Sequence, residues 1–305
     1  MSVLRSMLGS AAMLILSLGV ASSVGAHSKA APAIERAIWR QGHASIWLVP
    51  CPSKDDFAPD AVAVEARRGQ EKVVSKACYG ARLIDLLWSH QPGTIGPDAI
   101  VLANWGGSAG GVTVMSFTFG AKPAVDTVDF DRGDETSVYV HHHRPVFEAK
   151  MDFGMNGASN AAMRSVSVPV IADRRGFHVE IPMMVAPPLT RREEGRVRAI
   201  IRSDLKAWRA NEHFAGAATS VTIEALIGLI VSGHADTAHR LLIAAGRDAL
   251  GPRFDPEAYW DDLCLEAVEQ RLWKRFDLDR LPHADLIRRS AQLGQRDRSG
   301  PYLRS

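Results

Sequence analysis

Residues 100–144 read IVLANWGGSAGGVTVMSFTFGAKPAVDTVDFDRGDETSVYVHHHR, and this stretch decides the fold class. Ala99 to Ala103 is a short apolar run and reads as a strand. From Val112 to Phe119 the residues alternate. Thr113, Met115, Phe117 and Phe119 fall on one face, and Val112, Val114, Ser116 and Thr118 on the other; this is the period of a pleated strand. Val125 to Phe130 and Ser137 to His143 are further short strands, set off by turn residues. Strands this closely spaced pair antiparallel, because a parallel crossover needs a dozen residues or more.

Working outward, His43 to Val49 reads as a strand and Ala61 to Glu65 as an edge strand. Ala33 to Arg40 is expected as a short helix closed by Gly42, and Ala81 to Ser89 as a second helix, because its leucines and isoleucine recur at helical spacing. On the other side, Val146 to Ala149, Val166 to Ile171 and Gly176 to Met183 continue the strands.

At Pro187-Pro188 the pattern changes. Thr190 and Glu193 form a capping box ahead of Val197, Ile200, Ile201, Leu205 and Trp208, which recur along one helical face. Val221 to Val231 and Asp236 to Ala245 form an αα-hairpin, closed by Gly233 and Gly246. Asp255-Pro256-Glu257 starts another helix, which runs through Trp260, Cys264 and Leu272 to Phe276. Leu281 to Ser290 is expected as the last. The fold class is therefore α+β: a mostly antiparallel β N-terminal half followed by an α-helical C-terminal half. The expected divisions are a leader over 1–26, a β-rich domain over 27–188, a helical domain or subdomain over 189–291 and a disordered tail over 292–305. No 20- to 50-residue repeat is visible.

The leader has three parts. Arg5 supplies the charge, Ala11 to Val20 the apolar core and Val24-Gly25-Ala26 the small-residue cleavage site. The core is shorter than the roughly 20 residues a membrane span needs, and no later run is long and apolar enough. The expectation is export to a periplasmic or secreted location, with no transmembrane segment. In such a compartment Cys51 and Cys78 are a plausible disulfide, worth about 3 to 4 kcal/mol in the chain-entropy model. Cys264 falls on an apolar helical face and reads as a buried thiol. Formal net charge is +2 over 305 residues, so the chain as a whole has no polyanion-binding balance, and nucleic acid is not an expected partner.

Four features carry candidate chemistry. Gly106-Gly107-Ser108-Ala109-Gly110 follows a strand and resembles the nucleophile elbow of α/β-hydrolases. The resemblance covers about a dozen residues. It implies Ser108 as nucleophile and the Ala109 N–H as part of an oxyanion hole, with Asp126, Asp129, His178 and His213 in suitable chain order. Against it, Val112 to Phe119 alternates like a strand where an elbow feeds a helix. Secondly, His141 and His143 share one face of the strand ending at His143, with His142 on the other; with His178 as third ligand they suit zinc or copper. Cleavage after Ala26 also leaves His27 as a terminal copper chelator. Thirdly, Asp129 to Glu135 is acidic but lacks the order of a calcium loop, and reads as a turn. Fourthly, Arg191, Arg192, Arg196, Arg198 and Arg202 make the helix after Thr190 basic, which suits a solvated face or contact with anionic envelope polymers. Trp105 beside the glycines is placed to stack on a sugar or peptide.

No catalytic set and no metal set is complete. The leading expectation is an exported soluble cell-envelope protein that binds an envelope component or a partner protein without catalysis and without a cofactor. The alternatives are a serine hydrolase using Ser108 and a zinc or copper protein using His141 and His143.

Overall fold

A computed structural model describes residues 35–51, 61–80, 84–104, 111–130, 136–153, 164–210 and 220–296. The β half is three successive four-stranded antiparallel meanders. The first is β1 (Arg36–Gln41), β2 (Ala44–Pro50), β3 (Ala61–Arg68) and β4 (Glu71–Gly80), in that order. The second is β5 (Ile84–Ser89), β6 (Ala99–Asn104), β7 (Val112–Thr118) and β8 (Ala124–Phe130). The third is β9 (Val138–His141), β10 (Arg144–Phe153), β11 (Arg164–Asp173) and β12 (Gly176–His178). The helical half follows: α1 (Ile181–Met184), α2 (Arg191–Ala210), α3 (Ser220–Val231), α4 (Ala235–Leu250), α5 (Pro256–Glu269), α6 (Arg271–Arg275) and α7 (Ala284–Arg296). The α+β class stands as the sequence implies.

The two inner strands of the middle sheet, β6 and β7, are buried on both faces. Ala99, Val101, Ala103, Met115 and Phe117 face the first sheet and pack with Trp39, Ile46, Leu48, Val62 and Val64. Ile100, Leu102, Val112, Val114, Val128 and Phe130 face the other way. They join a larger core with Phe147, Val168 and Val170 of the third sheet and with Ile201, Ile227, Leu242, Trp260 and Leu263 of the helices. Alternation in β6 and β7 thus sorts residues between two cores rather than between core and water. The helices and the third sheet share one core, and Gln270 Nε2 donates to the Asp152 carbonyl at 2.9 Å across it.

Asp126 of β8 joins three elements. Its carboxylate accepts from Phe177 N at 2.7 Å and from Arg275 Nη2 at 2.8 Å. Gly176 makes room for it: a Cβ there would lie 2.4 Å from Asp126 Oδ2, at a φ of +119°.

Several local expectations are corrected. The two segments expected as helices, Ala33 to Arg40 and Ala81 to Ser89, are strands where they are described, Arg36–Gln41 and Ile84–Ser89. Both contain a register shift, between Ala37 and Trp39 and between Leu86 and Trp88. A bulge resets the side-to-side alternation, so Ile84 faces the first-sheet core and Trp88 the helical core, and the pattern imitates a helix. β3 is an interior strand rather than an edge. β9 stops at His141 and β12 at His178; Ile181 lies in a helical turn instead of continuing the strand.

The capping box forms as expected. Thr190 N donates to Glu193 Oε2 at 2.8 Å, and Glu193 N donates to Thr190 Oγ1 at 3.3 Å. Asp255 caps α5 by accepting from Ala258 N at 3.1 Å. Ile200, expected on the buried face of α2, is exposed. Gly246 does not end α4: it lies inside the helix, where a Cβ would sit 2.4 Å from the Phe254 ring, and the helix ends at Gly251 with φ +70°. The helix from Asp255 breaks at Gln270, and the final helix runs to Arg296, past the expected start of the tail.

Candidate functional site

α2 has two unlike sides, one apolar and one basic. Its apolar side, Ile201 and Leu205 with Val197 and Trp208, packs into the larger core. Its three acids are all engaged inside the molecule. Glu193 closes the capping box. Glu194 accepts from Arg240 at 2.7 Å, and this guanidinium holds the Glu194 carboxyl below its usual range. Asp204 accepts from Thr222 N at 3.0 Å and from its hydroxyl at 2.7 Å, which anchors the start of α3. Arg198 pairs with Asp248 on the flank.

The outer half of the helix keeps Arg191, Arg192, Arg196, Arg202, Lys206 and Arg209, all exposed. No ion pair forms at any of the six among the described residues. Gly195, Ala199, Ser203 and Ala210 lie between them, so small side chains leave the cations room to move. A 20-residue helix is about 30 Å long, and the cations recur along most of it. A chain of net charge +2 therefore carries a strongly positive ridge, because charge is partitioned rather than scarce. The sequence shows the basic stretch as far as Arg202. Lys206 and Arg209 were legible from their i+3 and i+4 spacing; the use of all three acids within the fold was not.

A second polar group lies on the third sheet. Register places His141 and Arg144 opposite each other, and Ile171 opposite His178. Arg144 pairs with Glu180 at 2.5 Å, and this bond holds the Glu180 carboxyl low. His178 Nδ1 lies 3.7 Å from Asp173 Oδ2. Nearby, Tyr139 donates to Glu148 Oε1 at 3.0 Å. Burial raises the Glu148 carboxyl against the lowering effect of that bond. His142 and His143 form the two-residue turn between β9 and β10, with φ of +45° and +63°. His143 therefore does not share a strand face with His141, and the strand geometry behind the zinc or copper reading is corrected. Among the described residues no group of three His, Cys, Asp or Glu side chains is placed to hold a metal ion.

Ser108, Trp105 and the glycine cluster lie outside the described residues, as do His27, His213 and Asp131 to Glu135. The setting of the glycines is visible all the same. β6 and β7, which they connect, pair antiparallel with Asn104 opposite Val112; an elbow leads from a strand into a helix. Asp129 accepts from Thr113 Oγ1 at 2.6 Å. Cys264 is free and buried, and burial raises its thiol well above the ordinary range. The Cys78 side chain of the expected bridge lies outside the described residues. No helix among the described residues is long and apolar enough to cross a membrane. No family model, curated protein or solved structure matches the chain.

Proposed function

We propose that this is an exported, non-catalytic binding protein of the cell envelope, and that the outer face of α2 holds a linear anionic polymer there. The carrying observation is the ridge of Arg191, Arg192, Arg196, Arg202, Lys206 and Arg209, none of which forms an ion pair among the described residues, while Glu194 and Asp204 of the same helix are engaged by Arg240 and Thr222. Arginine suits such a partner because its planar fork binds phosphate or carboxylate through two parallel bonds. A bilayer surface suits the ridge less well, since interfacial helices present large apolar residues beside their cations and Ile200 is the only large apolar residue exposed on this helix.

Long-chain polyphosphate is the probe. Expected is binding at low ionic strength that weakens steeply with salt and is lost in the triple variant Arg192→Glu, Arg196→Glu, Lys206→Glu. Equal binding by wild type and variant would sink the reading.

Export itself rests on the leader over residues 1–26. Cell fractionation with N-terminal sequencing tests it: a mature protein beginning at His27 supports it, and a full-length cytoplasmic chain does not. In an oxidising compartment Cys51 and Cys78 close a disulfide. Pro50, Val62 and Tyr79 are successive partners across β2, β3 and β4, so both cysteines stand at one end of the first sheet. Thiol titration of the denatured exported protein then finds Cys264 alone; finding all three cysteines free removes the bridge.

A further inference from the structure

Each of the three sheets has two edge strands, and an unprotected edge invites pairing. Most of these edges carry a protecting device. β1 has Arg36, Arg40 and a bulge. β4 has Glu71 and Lys72 and an irregular register against β3. β5 has Asp85 and a bulge. β8 has Asp126 and Asp129, with Asp126 bound to the β12 backbone. β12 is three residues long.

β9 differs from all of these. Its sequence, Val138-Tyr139-Val140-His141, holds no Asp, Glu, Lys, Arg or Pro, and its register with β10 is unbroken. Tyr139 is 42% exposed and Val140 47%, and Ile95 at the turn that follows β9 is 62% exposed. Ile95 is fixed there, since its N–H donates to the His143 carbonyl at 2.7 Å and Gly96 lies against Pro145.

Among the described residues one side of the β9 backbone has no partner strand. His141 and Arg144 flank a two-residue turn and so form a hydrogen-bonded pair. The next pair, Val140 with Pro145, does not exchange bonds, which suits a proline without an N–H. Val138 and Val140 therefore turn their N–H and C=O groups away from β10.

We propose that β9 pairs antiparallel with β9 of a second copy of this chain, about a two-fold axis at Tyr139. The occupant follows from the pattern Val-Tyr-Val, which is its own complement. Val138 meets Val140 of the second copy, Val140 meets Val138, and Tyr139 meets its own counterpart. The outward groups of both valines then form four backbone hydrogen bonds, and no like charges face each other. The Tyr139 hydroxyl, held by Glu148 of its own chain at 3.0 Å, tilts each ring away from the axis. The two third sheets become one continuous sheet.

Sedimentation of the full mature chain over a range of concentrations tests this. Wild type is expected as a dimer. Val140→Pro removes an N–H that β10 does not use, so it gives a monomer with unchanged circular dichroism and Tm. Should that variant fold poorly, Val140→Lys leaves the main chain intact and raises the dimer Kd by about tenfold or more. Tyr139→Cys, opposite itself in a non-hydrogen-bonded pair, forms an intermolecular disulfide on oxidation. A wild type that is monomeric at every concentration overturns the proposal, as does a dimer indifferent to both Val140 variants. Polyphosphate binding at α2 is read separately and is expected to survive all three substitutions.

Discussion

The outer face of β1–β4 and the outer face of α2 are both rich in cations, but the cations on the two faces have different partners. On the sheet, Arg67 binds Glu65 at 2.9 Å and Glu35 at 2.5 Å, and Lys72 also binds Glu65. The guanidiniums of Arg40 and Arg67 lie 4.8 and 4.9 Å from the centre of the Trp47 ring. Trp47 is itself anchored by its N–H to Ser45 Oγ at 2.8 Å. That network already occupies its charges. On α2 the acids are held by Thr190, Arg240 and Thr222, while the six outer cations form no ion pair among the described residues. The pairing of the cations, and not only their number, separates the two faces.

The largest expected effect breaks the comparison on the α2 side. Each cation near a polyanionic surface contributes about 1 kcal/mol, so the triple reversal of Arg192, Arg196 and Lys206 lowers polyphosphate affinity by about a hundredfold or more. Arg40→Ala, on the sheet, leaves it unchanged within about twofold. Parallel titrations at one ionic strength give both numbers.

Next comes Glu65, which is 6% exposed and anchors both sheet cations. Glu65→Ala destabilises by about 2 kcal/mol, less than a fully buried pair would cost, because Arg67 keeps Glu35 and Lys72 is 51% exposed. Burial pushes the Glu65 carboxyl up, but bonds to Lys72 and Arg67 prevail and hold it below the usual range. A lowered carboxylate contributes stability above its unfolded pKa and loses it as pH falls through the folded one. Urea midpoints of wild type should therefore drop below about pH 4, and those of Glu65→Ala should show less of that drop.

The smallest effect has the opposite sign. Glu148 and Asp261 are raised, each chiefly by burial, and neither forms an ion pair among the described residues. A raised carboxyl favours the fold when protonated, so its contribution is present below the unfolded pKa and lost as pH rises through the folded one. Glu148→Gln and Asp261→Asn keep an acceptor for Tyr139 and for Ser290. Each is expected to stabilise by about 0.5 to 1 kcal/mol at neutral pH, with the gain fading as pH approaches 4. Loss of stability at pH 7 in both would contradict this assignment.

The sequence was clearest where one local rule acts alone. Thr190 with Glu193 and Asp255 with Ala258 are contacts three residues apart, and both caps form as their spacing implies. β6 and β7 were recognisable because their register is unbroken. Reading failed at β1 and β5, where a single inserted residue turns the strand over. It failed at Gly246, whose purpose is to admit the Phe254 ring as the chain folds back just after the helix. The α2 ridge was half legible: its arginines are adjacent in sequence, while the partners that consume its acids, Arg240 and Thr222, are far along the chain.

Three meanders in a row also bear on how the chain folds. Every strand in them pairs with its sequence neighbour, so no sheet waits for a distant segment before it can close. Loop-closure entropy is met in small instalments, and the relative contact order of the β half is low for a β structure. Each hairpin can zip on the timescale of microseconds. The slower step is then the docking of finished sheets and helices against one another, with Asp126 among the last groups to find all its partners.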